Sequence, residues 1–132
     1  MAVVNLRNAI SMNKRVLVAG GAGYIGSHTV VELTNAGFEV VIVDNFSNSD
    51  PSSLDGIRKI TGIEPTFVEA DCCDKEAMRR VFESYDFDSV IHFAAFKAVG
   101  ESVAEPMKYY RNNLLSFVTI LELMKEYGRH NV

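Results

Sequence analysis

The 132-residue sequence has few cysteines, few prolines, no excess of basic residues and no long apolar run. Its two cysteines are adjacent, at Cys72 and Cys73, which gives neither a disulfide framework nor zinc-ligand spacing and favours a reducing, cytoplasmic location. A net charge of −4 provides no general attraction for nucleic acid or for an anionic membrane. No apolar run approaches the ~20 residues that span a bilayer. We therefore expect one globular domain with no metal site, no nucleic-acid partner and no membrane segment.

The first thirteen residues lack the features of a targeting sequence. They contain a single basic residue, Arg7, and no apolar core followed by a small-residue cleavage site. We predict that residues 1–13 form a disordered extension and that residues 14–132 form the domain.

From Lys14 onward, short apolar runs alternate with segments of helical character. The apolar runs predict buried strands at 15–19, 40–44, 65–69 and 89–93. The intervening segments predict helices at 24–36, 54–60, 75–83 and 107–127, with a loop at 45–53. This alternation is typical of an α/β fold, a doubly wound parallel sheet of the Rossmann type, here with only its first four strands and their helices.

The last predicted helix has an unusually wide apolar surface. Positions 110, 114, 117, 121 and 124 form one stripe, and two further apolar residues, Ile120 and Leu123, widen it. Such a surface predicts a contact beyond the sheet, and we expect a homodimer through the 107–127 helix. The alternative is that a later part of the same chain covers it.

A glycine-rich segment, residues 20–26, directly follows the first predicted strand and opens the first predicted helix. Such a turn lets a pyrophosphate approach the backbone at a helix N-terminus. Asp44 ends the second strand, where a carboxylate accepts hydrogen bonds from a ribose 2′-OH and repels a 2′-phosphate. No Arg or Lys lies between Asp44 and Arg58. The pattern predicts a dinucleotide site that prefers NAD to NADP, the alternative being a structural turn and an unrelated strand-end Asp.

Residues 18–29, V-A-G-G-A-G-Y-I-G-S-H-T, resemble the cofactor loop of extended short-chain dehydrogenase/reductases. Residues 90–102, V-I-H-F-A-A-F-K-A-V-G-E-S, are similar to the UDP-glucose (UDP-galactose) 4-epimerases of that family, as are residues 44–49 and 109–113. The resemblance extends from about Lys14 to Val132. It implies an NAD-dependent inversion at C4 of a UDP-hexose through a transient 4-keto intermediate, with a Tyr base and a nearby Lys serving the C4 hydroxyl.

The resemblance also implies the residues that contact the cofactor and the substrate. Lys97 and Val99 would lie nearest the UDP-hexose. The implied cofactor-binding residues are Gly20, Gly23, Tyr24, Ile25, Gly26, Asp44, Asn45, Asn48, Ser49, Asp71, Cys72, Phe93, Ala94, Ala95, Lys97 and Asn112. Three of these have simpler interpretations: a solvated lysine at Lys97, a helix-surface amide at Asn112, and a small buried apolar residue at Cys72.

None of the five tyrosines has a lysine four residues downstream, the spacing that would lower the pKa of a catalytic phenol. The resemblance therefore implies that the family's catalytic Ser, Tyr and Lys lie beyond Val132, and we expect the 132-residue chain to be inactive alone. Two alternatives remain: another extended reductase acting on a nucleotide sugar (a dehydratase or decarboxylase), or a non-catalytic NAD-binding module. The run Lys97–Ser102 favours an epimerase, and an unpaired edge on the fourth strand favours a fragment over a module.

Overall fold

A computed structural model describes residues 14–132, so the predicted extension at 1–13 lies outside the described residues. In chain order the elements are β1 (Arg15–Ala19), α1 (Tyr24–Asn35), β2 (Glu39–Asp44), α2 (Ser52–Thr61), β3 (Thr66–Glu69), α3 (Lys75–Ser84), β4 (Ser89–His92), α4 (Val99–Ala104) and α5 (Pro106–Glu126). The predicted strands and longer helices are confirmed to within two residues. Two details differ: α2 begins inside the predicted loop at 45–53, and the short helix α4 was not predicted.

The four strands form one parallel sheet in the order β3-β2-β1-β4. Val18 of β1 is in register with Ile42 of β2 on one side and with Ile91 of β4 on the other. The prediction of a parallel, Rossmann-type sheet is thus confirmed. Because the strands are parallel and β1 lies between β2 and β4, the carboxyl ends of these three strands lie side by side at one edge of the sheet.

Alternate residues of β1 contribute to two separate hydrophobic cores. Val16 and Val18 face α1 and α2, where Val30 and Ile57 are fully buried. Leu17 and Ala19 face the other side of the sheet, which α3 and α5 cover. There they pack in one cluster with Met78, Val81, Ile120 and Leu123. The helices therefore flank both faces, which explains why the strands are apolar throughout.

Two helices end at residues whose type suits a helix end. The Asp74 side chain accepts a hydrogen bond from the Ala77 N–H at 3.0 Å and caps the N-terminus of α3. Gly37, with φ of +91°, follows the last turn of α1 and allows the chain to reverse into β2.

The buried side of α5 differs from the predicted stripe. Of positions 110, 114, 117, 121 and 124, only Met124 is buried, and Tyr110 and Leu114 are 60% and 59% exposed. The buried residues of α5 are Tyr109, Ser116, Thr119, Ile120, Leu123 and Met124. Two of these, Ser116 and Thr119, are small polar side chains, which a count of apolar residues does not reveal. Within residues 14–132, no helix combines the length and apolar character required to cross a membrane.

The outer edge of β4 is in part paired, contrary to the expectation of an open edge. The N–H of Val90 donates to the carbonyl of Asn131 at 2.9 Å. The Asn131 side chain donates to the carbonyl of Asp88 at 3.2 Å. The segment after α5 therefore runs beside β4.

Candidate functional site

An open cleft of about 340 Å³ lies at the carboxyl edge of the sheet. Its floor is the glycine turn after β1, one wall follows β2 and β3, and the other follows β4 and includes part of α5. In open α/β sheets, ligands bind outside the carboxyl ends of the strands where the strand order reverses. β1 is such a point, since β2 lies on one side of it and β4 on the other.

The glycine turn is packed too closely to carry side chains at two positions. Gly20 has a φ of +79°, and a Cβ there would lie 2.6 Å from the backbone nitrogen of Ala94. A Cβ on Gly26 would overlap the carbonyl oxygen of Gly20. This packing brings the N-terminus of α1 to the floor of the cleft. Its backbone N–H groups and the positive end of the helix dipole suit an anionic ligand such as a pyrophosphate.

Asp44 connects the two sides of this floor. Its Oδ2 accepts from the Ala22 N–H at 3.1 Å, and its Oδ1 accepts from the Phe46 N–H at 2.9 Å and from the Ser49 hydroxyl at 2.8 Å. The residue is only 9% exposed. A carboxylate has about four acceptor positions, so three protein donors leave one for a ligand hydroxyl. Phe46 adopts a φ of +57°, and its ring lies 4.9 Å from that of Phe67, which holds the turn after β2 in place.

The segment after β3 contributes a fixed carboxylate and two unreactive thiols. Asp71 Oδ1 accepts from the Cys73 N–H at 2.8 Å. Burial, with the nearby charge of Asp71, raises the pKa of Cys72 to about 12 and that of Cys73 to about 11. Cys72 is 5% exposed, so its thiol is neutral and packs as a small apolar group, as predicted. No three His, Cys, Asp or Glu side chains within 14–132 are grouped so that they could hold a metal ion.

The opposite wall consists of the segment after β4 and the facing side of α5. Lys97 is exposed, whereas Phe96 and Asn112 are half-buried. The side-chain amide of Asn112 donates to Asn113 Oδ1 at 3.0 Å, and the Cys73 thiol lies 3.7 Å from Asn112 Oδ1. Asn112 thus lies where the wall after β3 meets α5, within the cleft rather than on the outer surface.

The structure brings nearly all of the residues named from the resemblance to this one cleft. Two do not line it: Ile25 and Val99 lie outside, with 51% and 79% of their surface exposed. Those that line it are Gly20, Gly23, Tyr24, Gly26, Asp44, Asn45, Asn48, Ser49, Asp71, Cys72, Phe93, Ala94, Ala95, Lys97 and Asn112.

Sequence reasoning missed several lining residues: Ser47, Ala70, Ala98, Glu101, Tyr109 and Ser116. Most of these adjoin residues that were named, so their position in the same loops was the available signal. Glu101 and Tyr109 carried no such signal, because their contribution depends on how α4, which was not predicted, packs against α5.

Comparison with known proteins gives consistent results. The family model described as GDP-mannose 4,6 dehydratase matches residues 17–132. The UDP-glucose 4-epimerase of Bacillus subtilis (strain 168) is 55% identical over 113 residues, which cover 86% of this chain and 33% of that protein. The UDP-glucose 4-epimerase of Homo sapiens is 50% identical over 127 residues, covering 92% of this chain and 36% of that protein.

A solved structure agrees with the sequence matches. The UDP-glucose 4-epimerase of Bifidobacterium longum, crystallised in complex with NAD+ and UDP, is 48% identical with a TM-score of 0.85, and the match covers 87% of this chain and 34% of that one. The chain therefore spans about a third of the length of the relatives it matches. The resemblance read from the sequence is confirmed, and the chain belongs to the GDP-mannose 4,6 dehydratase family, in which the relatives compared above are UDP-glucose 4-epimerases.

Proposed function

We propose that this chain is the NAD-binding part of a UDP-glucose/UDP-galactose 4-epimerase. The observation that carries the proposal is the cleft across the carboxyl ends of β2, β1 and β4, in which Asp44 is held over a glycine turn. Its volume of about 340 Å³ lies within the range of ligand sites. The relatives named above, of which one was crystallised with NAD+ and UDP, support the choice of cofactor and of a UDP-hexose as substrate.

The chain's own residues bind and orient the cofactor in this proposal. The α1 N-terminus and the glycine turn hold the pyrophosphate through backbone N–H groups, with Tyr24 and Ile25 at the first turn of the helix. Asp44 and Asn45 hold the adenosine ribose, and Asn48 and Ser49 lie in the same loop. The Asp44 carboxylate disfavours the 2′-phosphate of NADP, and residues 45–57 contain no Arg or Lys to neutralise it.

The wall after β4 serves the other half of the cofactor. Phe93, Ala94 and Ala95 form its surface, Asn112 contributes from α5, and Lys97 faces the nucleotide sugar. Val99 lies outside the cleft, so its predicted contact with the sugar is not part of the proposal. On the opposite wall, the adenine would lie against Asp71 and Cys72. When bound, NAD would accept a hydride from the sugar carbon and return it. The groups that move the C4 hydroxyl proton are proposed to lie outside this chain, since no tyrosine here is followed by lysine at the required spacing.

Cofactor titration tests the proposal. NAD and NADP are titrated by isothermal calorimetry into the wild-type chain, into Asp44→Ala and into the control Glu69→Ala, which changes the carboxylate in register with Asp44 on the neighbouring strand. We expect tighter binding of NAD than NADP in the wild type and in the control. Asp44→Ala should weaken NAD about tenfold, the value of one hydrogen bond to a charged group, and reduce the discrimination against NADP. Identical curves for both cofactors before and after the substitution would rule out the assignment.

We propose in addition that the protein is cytoplasmic and forms a homodimer through the exposed face of α5. The free cysteines Cys72 and Cys73 support the location. Continuous exposed apolar residues support the dimer: Tyr110, Leu114, Phe117, Val118 and Leu121. Sedimentation velocity tests the dimer with Leu121→Glu, compared with Lys59→Glu at an exposed position of α2, on the other side of the sheet. We expect a dimer in the wild type and the control and a monomer in Leu121→Glu. A wild-type chain that stays monomeric at high concentration would disprove the dimer.

A further inference from the structure

Two side chains of α5 hold the backbone on either side of Lys97. Asn113 accepts from the Phe96 N–H at 2.8 Å through Oδ1 and donates to the Phe96 carbonyl at 3.1 Å through Nδ2. The Ala98 N–H donates to the Tyr109 hydroxyl at 3.2 Å. Lys97 therefore projects from a short segment that is anchored at both ends.

Tyr109 is the anchor that also reaches α4. It is 9% exposed, and its ring lies 5.6 Å from the ring of Phe96. Its hydroxyl accepts from Ala98 and donates to Glu101 Oε2 at 2.7 Å, while the other oxygen of Glu101 pairs with Lys108. Burial, reinforced by the Glu101 carboxylate, raises the pKa of Tyr109, so the phenol keeps the proton that it donates.

These contacts are unsuited to proton transfer and suited to positioning. The hydroxyl proton is engaged by Glu101, and the residue four positions after Tyr109 is Asn113, not a lysine. We propose that Tyr109 is a positioning residue: its hydroxyl fixes Ala98, and with it Lys97, at the end of the cleft that lies across β1 from Asp44. The assignment rests on the proposed function in one respect, that the ligand is a dinucleotide long enough to reach both ends.

The two ends of the cleft can be probed with ligands of different length. In the proposed orientation, ADP would extend over the glycine turn, Asp44 and the segment after β3, whereas NAD would also reach the Phe96–Ala98 wall. Loss of the Tyr109 hydroxyl should therefore weaken NAD and spare ADP. A general loss of structure would weaken both, so the ratio of the two affinities separates positioning from a merely structural role.

The experiment compares Tyr109→Phe with Tyr110→Phe, an identical change at an adjacent tyrosine that is 60% exposed. Calorimetric titration with NAD and ADP should show NAD weakened about five- to tenfold in Tyr109→Phe, the loss expected for about one neutral hydrogen bond, with ADP within about twofold of the wild type. Tyr110→Phe should change neither. An unchanged NAD affinity in folded Tyr109→Phe, or an equal loss for ADP, would overturn the proposal.

Amide exchange provides a readout that needs no ligand. In Tyr109→Phe the Ala98 amide should exchange about tenfold faster, because its acceptor is gone, while the Phe96 amide, held by Asn113, should change less than about twofold. Glu101→Leu, at an exposed position, removes the acceptor of the Tyr109 hydroxyl without altering the buried ring, and should produce the same pattern in smaller degree.

The outcomes for the two proposals are distinguishable. A wild-type chain that binds neither NAD nor ADP contradicts the proposed function, and the positioning role is then decided by Ala98 exchange. Unchanged Ala98 exchange in both Tyr109→Phe and Glu101→Leu contradicts the positioning role, whatever the ligand affinities.

Discussion

Substituting Gly26 by alanine should destabilise the chain even though alanine is the better helix former. A Cβ at this position would overlap the Gly20 carbonyl oxygen and lie 2.8 Å from the Cα of Gly21. These backbone atoms cannot yield easily, because the Gly20 N–H donates to the Val43 carbonyl at 2.7 Å and the turn is thereby attached to β2. Such overpacking costs about 3 kcal/mol, and the helical preference of alanine returns about 1 kcal/mol. The expected net loss is about 2 kcal/mol.

Gly56 in α2 offers a matched control, because the same substitution there should act in the opposite direction. A Cβ on Gly56 would meet no atom within 4 Å, so Gly56→Ala keeps only the gain in helix propensity, about 1 kcal/mol. Urea unfolding followed by circular dichroism measures both changes, with equal m-values as the check on comparable unfolding. The two variants should differ by about 3 kcal/mol. Equal unfolding midpoints for the two variants would refute the packing argument.

Two further predictions concern α3 and the alkaline stability of the chain. Asp74→Ala should lower the free energy of unfolding by about 1 kcal/mol through loss of the α3 cap. The control Asp55→Ala breaks an exposed pair with Arg58 and should lower it by less than about 0.5 kcal/mol. Equal losses of stability in urea unfolding would contradict the capping role. The pKa of Cys72, raised to about 12 from an ordinary 9.0, means that the unfolded chain loses this proton first. Its contribution to stability is therefore complete below pH 9 and is lost as the pH rises toward 12. In Cys72→Ala this part of the alkaline decline in the free energy of unfolding should be absent. Curves of unfolding free energy against pH that superimpose for Cys72→Ala and the wild type would disprove this contribution.

The strands and most of the cleft could be predicted because their signals are local. A short apolar run such as residues 40–43 is typical of a buried strand, and the position of Asp44 at the end of that strand follows from the assignment. Parallel strands bring their carboxyl ends to one edge of the sheet. It can therefore be predicted from the strand assignment alone that Asp44 and Lys97, which are far apart in sequence, line the same cleft.

The failures have a different origin, in contacts between elements. The buried side of α5 includes Ser116 and Thr119, which a hydrophobic pattern assigns to solvent. The Ser116 hydroxyl lies 3.5 Å from the Ala94 carbonyl oxygen, a contact between elements that the pattern does not contain. The six residues of α4 are too few to show a helical period, and Gly100 argues against a helix. Tyr109 and Glu101 were missed as cleft residues because their positions depend on both of these features.

The interior position of β1 has a consequence for the order of assembly. The side chain of Arg15 meets Glu39 across 24 residues of chain, while its backbone N–H meets Asp88 across 73. Closing the longer loop costs about 1 kcal/mol more in chain entropy, so β2 joins β1 more readily than β4 does. The glycine turn and Asp44 can thus come together in a half-built sheet that lacks the Phe93–Lys97 wall. A dinucleotide that contacts both sides of β1 would bind the sheet in which β4 has docked more tightly than the half-built sheet, and would stabilise the docked sheet by that difference.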